Sequence, residues 1–569
     1  MLLAGATAVV ACGSATTSIN PFSIDGGGSG AGVSSGGSAS GSGGTASSGG
    51  ASSGGSGGTS SSGASSGGGD GGTTTGAPVL EFHKNPSRDG LYVDPLMTKA
   101  NVAAFKLDTT FAPTITGNVY AQPLYVTNGP GGQAAYIVAT ESNHVTAIDV
   151  TGKVLWDQSY GTPVNSGLPC GDITPLGITG TPVIDASSRT VYFDAMTNNG
   201  GTPTHMIHAV SLDNGAELAG GWPVNVDMHV TGFTSNTQNQ RGALALLNGV
   251  VYVPYGGLDG DCGSYLGYVL GIPVATPTAV TVFGVGGMFP SGSTAAANAT
   301  AGGIWAGGGV ARDDSSLYVS TGNTMSAAAS HAAPAVWCGG EAVLRLAPGP
   351  VFTNSSANEF YPTNWAMLDR TDEDLGGSNP IVFDMTGADG GTMHLIAAPG
   401  KDGFLYVVDR DNLGGMGGQL SMTAVGPQGT GGPGALTAAG AAYTTGKGTY
   451  VAYRINTGPG VGCAAGTGAA RGSIGVARIT GNPPTAQVVW CSAESSMGSP
   501  IVTSSGSGDV IVWDANTHLF GYDGDTGAKV YSGTDTMASS MHYYATPIET
   551  GGRVAVATSG PGHLYVFHR

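Results

Sequence analysis

The chain has 569 residues, more than one compact core ordinarily holds, so several domains or a repeat architecture is expected. Only 10% of residues are charged and 101 are Gly, while Val, Ala, Thr and Tyr are plentiful, a composition that suits short strands joined by tight turns and excludes long helical bundles. The 37 acidic against 19 basic residues leave a formal charge of -18, which repels phosphate backbones and anionic headgroups, argues against nucleic acid as a partner and keeps an exported protein soluble.

Leu2 to Val10 form an apolar run too short to span a bilayer, ending at Ala11 and Cys12. An export signal over residues 1–11 is expected. The stretch Val9-Val10-Ala11-Cys12 resembles a bacterial lipobox, whose thiol is acylated and becomes the new N-terminus when the signal is removed. Gly13 and Ser14 follow, with no Asp beside the Cys, which in a double-membraned bacterium implies the outer membrane. No Lys or Arg precedes the run, so the signal is read as truncated at its basic end, with an unlipidated secretory signal as the alternative.

From Gly26 to Gly76 the chain is nearly pure Gly, Ser, Thr and Ala, which buries too little apolar surface to offset chain entropy. A disordered tether over 12–77 is expected, then a folded domain over 78–569. A Gly-rich coil of about 50 residues has an end-to-end distance of about 40 Å, enough to hold a domain clear of a membrane.

Two patterns recur beyond Pro78. In the first a small or polar residue precedes Pro and apolar residues: Gln122-Pro123-Leu124, Thr181-Pro182-Val183, Asn379-Pro380-Ile381, Ser499-Pro500-Ile501 and Thr546-Pro547-Ile548. Pro cannot donate to a ladder, so it belongs at the start of a strand or at an exposed edge, here the inner edge of a blade. A second apolar strand follows each copy, as at Ala135 to Ala139, Thr190 to Phe193, His394 to Ala398, Val510 to Trp513 and Val554 to Ala557.

In the second pattern a strand ends in an Asp/Thr/Gly turn. The fullest copy runs from Ala147 through Asp149, Thr151 and Gly152 to Trp156, with weaker copies at Ala209 to Ala216 and Gly521 to Ala528. The side-chain oxygens cap turn amides, Gly takes the positive φ, and Trp156 or Tyr531 fills the space between sheets.

Together these define four-stranded meanders, the blades of an all-β propeller. Blade starts fall at Gln122, Thr181, Arg241, Gly303, Asn379, Leu436, Ser499 and Thr546. Eight blades need about 59 residues each and seven about 67, against a usual spacing of about 40 to 50, so eight is preferred and seven is the alternative. The last unit, ending at His568, is one strand short. A strand near Val102 to Phe111 is expected to complete it and close the ring.

The stretches Gly117 to Val126, Cys170 to Asp185, Arg241 to Gly257, Gly302 to Ala311, Glu373 to Val382 and Gly400 to Gly415 carry a resemblance to secreted bacterial proteins with pyrroloquinoline-quinone-like (PQQ-like) repeats, of the quinoprotein alcohol dehydrogenase-like superfamily. The resemblance spans Leu80 to Arg569 and implies the eight-bladed fold. Catalytic members resemble one another in a disulfide between adjacent cysteines over the quinone, a Trp beneath it, and an Asp base beside Ca²⁺ held by Glu and Asn. No two Cys are adjacent in this chain, and no Glu, Asn and Asp match those ligand positions by motif. Asp149 is followed by Thr after two residues rather than three, a further departure. No cofactor is assigned; PQQ and Ca²⁺ remain the alternative that the superfamily implies.

Beyond Cys12 lie Cys170, Cys262, Cys338, Cys463 and Cys491, with no spacing that suits zinc. The matching segments imply Cys170–Cys262 and Cys463–Cys491 disulfides, each contributing about 3 to 5 kcal/mol by loop closure. Cys338 is left over as a buried, inert thiol. His542, His563 and His568 are read as packing or capping residues. Asp259 with Asp261, Asp372 with Glu373 and Asp374, and Asp523 with Asp525 are read as turn chemistry, with Ca²⁺ as the alternative. No catalytic or metal-ligating residue is assigned, and hydrolase, P-loop and dinucleotide motifs are absent.

The expected function is a noncatalytic binding or scaffold module, exported and held at the outer membrane or cell surface, or secreted. Its partner is an envelope protein or extracellular polymer, as for the propeller lipoprotein that assists outer-membrane protein assembly, and a monomer is expected. The alternatives are a glycan or polymer binder and a diverged quinone-dependent dehydrogenase.

Overall fold

The computed structural model describes residues 76–285, 299–326, 337–387, 389–429, 434–468, 472–560 and 562–569. The expected signal, Cys12 and all but the last residues of the expected tether lie outside them. Eight antiparallel sheets of four principal strands follow in chain order, their first strands at Leu124–Val126, Val183–Asp185, Ala245–Leu247, Ala311–Arg312, Ile381–Thr386, Ala441–Thr445, Ile501–Ser504 and Ile548–Thr550. These define blades 1 to 8.

A single short segment reveals how the blades are arranged. Val79 exchanges backbone hydrogen bonds with Tyr125 of blade 1, and the carbonyls of Leu80, Pro86, Ser87, Asp89 and Gly90 accept from Ile184, Arg312, Val382, Ala442 and Val502. Those five donors lie on the first strands of blades 2, 4, 5, 6 and 7. The buried Arg88 reaches the carbonyls of Leu244 and Val310, immediately before the first strands of blades 3 and 4. So few residues touch so many strands only if all those strands surround one axis. Leu91–Val93 then joins the inner edge of blade 7 in parallel, and Asp94 Oδ2 accepts from Gly552 N at the blade 8 turn, 2.9 Å away.

Both faces of each sheet are covered by neighbouring blades, so the second strands are largely buried; Ala135–Ala139 is buried at every position, whereas outer strands such as Val154–Ser159 carry exposed polar residues. Apolar clusters join blades 2 and 3, 3 and 4, 4 and 5, 5 and 6, and 6 and 7, while the largest runs from blade 7 through 8 and 1 into 2. Lys106–Leu107 pairs antiparallel with Phe567 and His568, supplying the outer strand that the last unit lacks. The ring therefore closes with strands from both ends of the domain, within the interval expected from sequence.

The Asp149 turn has the predicted chemistry. Asp149 Oδ1 accepts from Thr151 N at 2.8 Å, Thr151 Oγ1 at 2.6 Å and Lys153 N at 3.0 Å, and Gly152 has φ 92°. Trp156 donates to Leu212 O of blade 2 at 3.0 Å, and a Cβ on Gly215 would lie 2.9 Å from its ring. Trp490 of blade 6 repeats this on blade 7, donating to Gly524 O at 2.9 Å and covering Gly527. Each indole thus locks its blade to the next, and the turn glycine is required because nothing larger fits beneath the ring.

Disulfides join Cys170 to Cys262 and Cys463 to Cys491, as the resemblance implied. Cys338 is not free either, which corrects its reading as a leftover thiol; no free cysteine remains among the described residues.

Candidate functional site: an axial cleft

The polar residues before the repeated Pro ring the axis and bond blade to blade. Gln122 N donates to Thr181 Oγ1 at 2.9 Å, Thr546 Oγ1 to Ser499 O at 3.0 Å, and Ala439 N to Ser499 Oγ at 3.1 Å. His83 of the axial segment meets this ring, its N donating to Gln122 Oε1 at 2.9 Å and its Nδ1 lying 3.2 Å from Arg88 O. Burial pushes the His83 imidazole down to about 3, so it is neutral at physiological pH.

A cleft of about 720 Å³ is lined by segments that precede the first strands, including Arg241, Trp305, Thr437, Met497 and Tyr544, by turns between second and third strands, including Asp259 and Lys401, and by Arg454 near the end of the second strand of blade 6. None of its lining residues belongs to the axial segment. Its size falls within the about 300–1,000 Å³ usual for ligand sites.

One wall is aromatic and cationic. The Arg241 guanidinium lies 5.7 Å from the Trp305 ring and 5.4 Å from the Tyr544 ring, and its Nη1 donates to Tyr544 Oη at 2.6 Å. Burial opposes its charge, yet the Tyr544, Tyr543 and Asp172 side chains hold it above the ordinary arginine value. Its buried Nε has no hydrogen-bond partner, a donor left for something else. Tyr543 donates to Asp172, and its Oη lies 3.0 Å from Tyr544 Oη.

Another part of the lining is acidic. Tyr265 donates to Asp261 Oδ1 at 2.5 Å, and Lys401 Nζ bridges Asp372 Oδ1 at 2.9 Å and Asp374 Oδ2 at 2.6 Å. Burial and the Asp374 charge raise the Asp372 carboxyl to about 7 against the opposing pull of Lys401. Burial opposes the Lys401 charge, but Asp374 and Asp372 outweigh it and hold the ammonium above its usual value. Behind Lys401, Asp369 is raised to about 7 chiefly by burial, and Glu341 is raised well above the carboxylate range by burial and by Asp374 and Asp369.

The acidic clusters therefore divide. Asp523 caps its own turn, its Oδ1 accepting from Asp525 N and Thr526 N, as expected of turn chemistry. Asp259, Asp261 and Asp372 instead line the cleft, a role that local spacing did not reveal. The three histidines do not converge: His542 stacks on Tyr120 at 3.7 Å, His568 Nε2 lies 3.2 Å from Asp108, and the His563 ring lies 5.6 Å from that of Tyr565. Arg241, Trp305, Lys401, Arg454, Tyr543 and Tyr544 were not singled out as site residues. A signal existed, since Arg241 is itself a blade start and Trp305, Thr437, Met497 and Tyr544 lie within two residues of one.

The superfamily raises the question of a quinone with a metal. Arg241, Lys401 and Arg454 supply charge of the sign that its carboxylates need. Among the described residues, however, no group of three or more His, Cys, Asp or Glu converges to hold a metal, and Cys170 and Cys262 are 92 residues apart in sequence. The adjacent-cysteine pair of the catalytic enzymes is thus missing from the cleft, and no chemical step is derived through a quinone.

No family model and no curated protein matches the chain. Solved structures do match. The quinohemoprotein alcohol dehydrogenase from Comamonas testosteroni aligns at TM-score 0.64 and 17% identity, covering 86% of this chain and 80% of that one. A europium-containing methanol dehydrogenase aligns at TM-score 0.59 and 16% identity, covering 86% and 98%. A quinohemoprotein alcohol dehydrogenase from Pseudomonas putida HK5 aligns at TM-score 0.57 and 14% identity, covering 86% and 80%. At such identities the likeness is one of fold. The chain is an eight-bladed β-propeller that shares its fold with these quinohemoprotein and methanol dehydrogenases.

Proposed function

We propose that the protein is a noncatalytic binding module, exported and anchored at the cell envelope through Cys12, whose axial cleft captures a hydroxyl-rich ligand such as the end of a glycan. The observation that supports this most is the cleft wall itself. Trp305, Tyr543 and Tyr544 offer aromatic surface beside Asp172, Asp259, Asp261 and Arg241, the pairing of flat rings with hydrogen-bonding groups that a sugar's apolar face and hydroxyls require. Asp172, Asp261 and Arg241 are held by tyrosine hydroxyls, so they meet a ligand pre-oriented. A glycan array probed with the full chain is expected to give hits that Trp305→Ala weakens at least tenfold; an array without hits would retire the reading. Anchoring is tested by incorporation of a labelled fatty acid, which Cys12→Ala is expected to abolish.

The Asp372 carboxyl, raised to about 7 beside Lys401, favours a second reading, a diverged quinone-dependent dehydrogenase, because such a group can exchange protons near neutrality. Titration with pyrroloquinoline quinone and Ca²⁺, followed by dye reduction with alcohols and sugars, separates the two. No reduction is expected, and reduction abolished by Asp372→Asn would establish the second reading.

A further inference from the structure

Away from the axis, a groove of about 630 Å³ runs between blades 1 and 2. It arises because the second and third strands of blade 2, Thr190–Asn199 and Thr202–Ser211, are ten residues each and outrun the sheet beside them. Their overhanging end meets the chain leaving blade 1, where Asn198 N donates to Thr162 O at 2.7 Å and Pro163 bridges to Thr197. The exposed Gln158, Ser159, Thr162, Asn198 and Asn199 form the rim.

The floor is built around His208. Its ring stacks on Phe193 at 5.1 Å and meets the half-buried Tyr160 edge-on at 5.3 Å. His208 Nδ1 lies 2.6 Å from Glu217 Oε2, and Ala209 N donates to Glu217 Oε1 at 3.1 Å, so the acid holds the imidazole in one orientation. The side chain is only 7% exposed, and its Nε2 is buried without a hydrogen-bond partner. Buried polar atoms are rarely left unpaired, and one that lines a groove points to a ligand that pairs it.

We propose that this groove is a second binding site, distinct from the axial cleft, for a neutral oligosaccharide chain. No Lys or Arg lines it and its one carboxylate is engaged, which disfavours an anion. The amides and hydroxyls of the rim match sugar hydroxyls, the Tyr160 ring offers a face for a pyranose, and a hydroxyl at His208 Nε2 satisfies the orphaned atom. The proposal does not rest on the axial reading.

The test is isothermal titration of the full chain with cellohexaose, laminarihexaose, maltohexaose and chitohexaose, with trigalacturonate as an anionic control. At least one neutral hexasaccharide is expected to bind with a sub-millimolar Kd. In the Trp305→Ala chain, which removes the axial contribution, a groove isotherm is expected to persist; there Gln158→Ala with Asn199→Ala, exposed positions that spare folding, is expected to weaken it at least fivefold and His208→Phe to abolish it. The groove assignment falls if none of the four binds, if the rim variant binds like the parent, or if trigalacturonate binds there equally well. Binding lost in the Trp305→Ala chain would overturn the groove while supporting the axial cleft.

Discussion

Trp156 shows how one side chain fixes the spacing of two blades. Trp156→Ala removes the indole packed on Gly215 and its bond to Leu212 O, and is expected to cost about 3 to 5 kcal/mol, whereas Trp156→Phe keeps most of the packing. Urea unfolding of the two variants measures the difference, and equal losses would contradict the packing role. His205 makes the pH dependence specific. Its Nδ1 lies 2.6 Å from Asp194 Oδ2, and Tyr255 donates to Asp194 Oδ1 at 3.0 Å, all buried between blades 2 and 3. Burial lowers the His205 value, but the charge and hydrogen bond of Asp194 outweigh it and raise it above 6.5. The folded state binds that proton more tightly, so the contribution is fully present below 6.5 and is lost as pH rises through the raised folded value. His83 runs the other way: depressed to about 3, its contribution is present above 6.5 and is lost as pH falls toward 3. Denaturant midpoints across pH should therefore show His205→Gln costing more at pH near 5 than at pH near 9. A cost independent of pH would rule out the charged pair.

The axial segment from Val79 to Asp94 behaves as an element in its own right, although only Leu91–Val93 is a strand. Arg88 is its anchor: it pairs with Glu81 at 3.0 Å and donates to the carbonyls of Phe82, Leu244 and Val310. Arg88→Ala leaves Glu81 and three carbonyls without that cation, so a loss of about 3 to 5 kcal/mol is expected, in line with breaking a buried pair by removing one partner. Thermal unfolding checks this. A midpoint within a degree of the parent's would show that the segment does not hold the inner strands together. The sequence assigns these residues no element, because backbone bonding to distant strands leaves no periodicity in the segment itself.

At the scale of the whole molecule, closure turns a stack of repeats into one cooperative unit. Removing residues 1–110 deletes both the axial segment and Lys106–Leu107, reopening blade 8 along Phe567 and His568. The truncated chain is expected to unfold at lower temperature and over a broader range. Calorimetry showing an unchanged sharp transition would mean that the ring does not depend on its closing strand. The disulfides act through the unfolded chain, Cys170–Cys262 closing a span of 92 residues and Cys463–Cys491 one of 28. Their removal by paired Cys→Ser substitution is expected to cost about 4 to 5 and about 3 to 4 kcal/mol respectively.

The sequence by itself determined the propeller, its eight units and the interval that closes it, because the pre-strand Pro, present in five units, and the Asp/Thr/Gly turn, present in three, impose local backbone chemistry that recurs along the chain. Gln122, Thr181, Asn379, Ser499 and Thr546 each stand two residues before an observed first strand. The weaker starts at Arg241, Gly303 and Leu436, which lack that Pro, precede theirs by four, eight and five residues. Only the tertiary structure decided the sites. The cleft gathers Asp172, Arg241, Trp305, Lys401, Arg454 and Tyr544 from well-separated turns and strand ends, and the groove exists because one hairpin outgrows its neighbour. Such groupings depend on which ends of which strands the ring brings around the axis, and on how far each strand projects, and neither is written in the spacing of nearby residues.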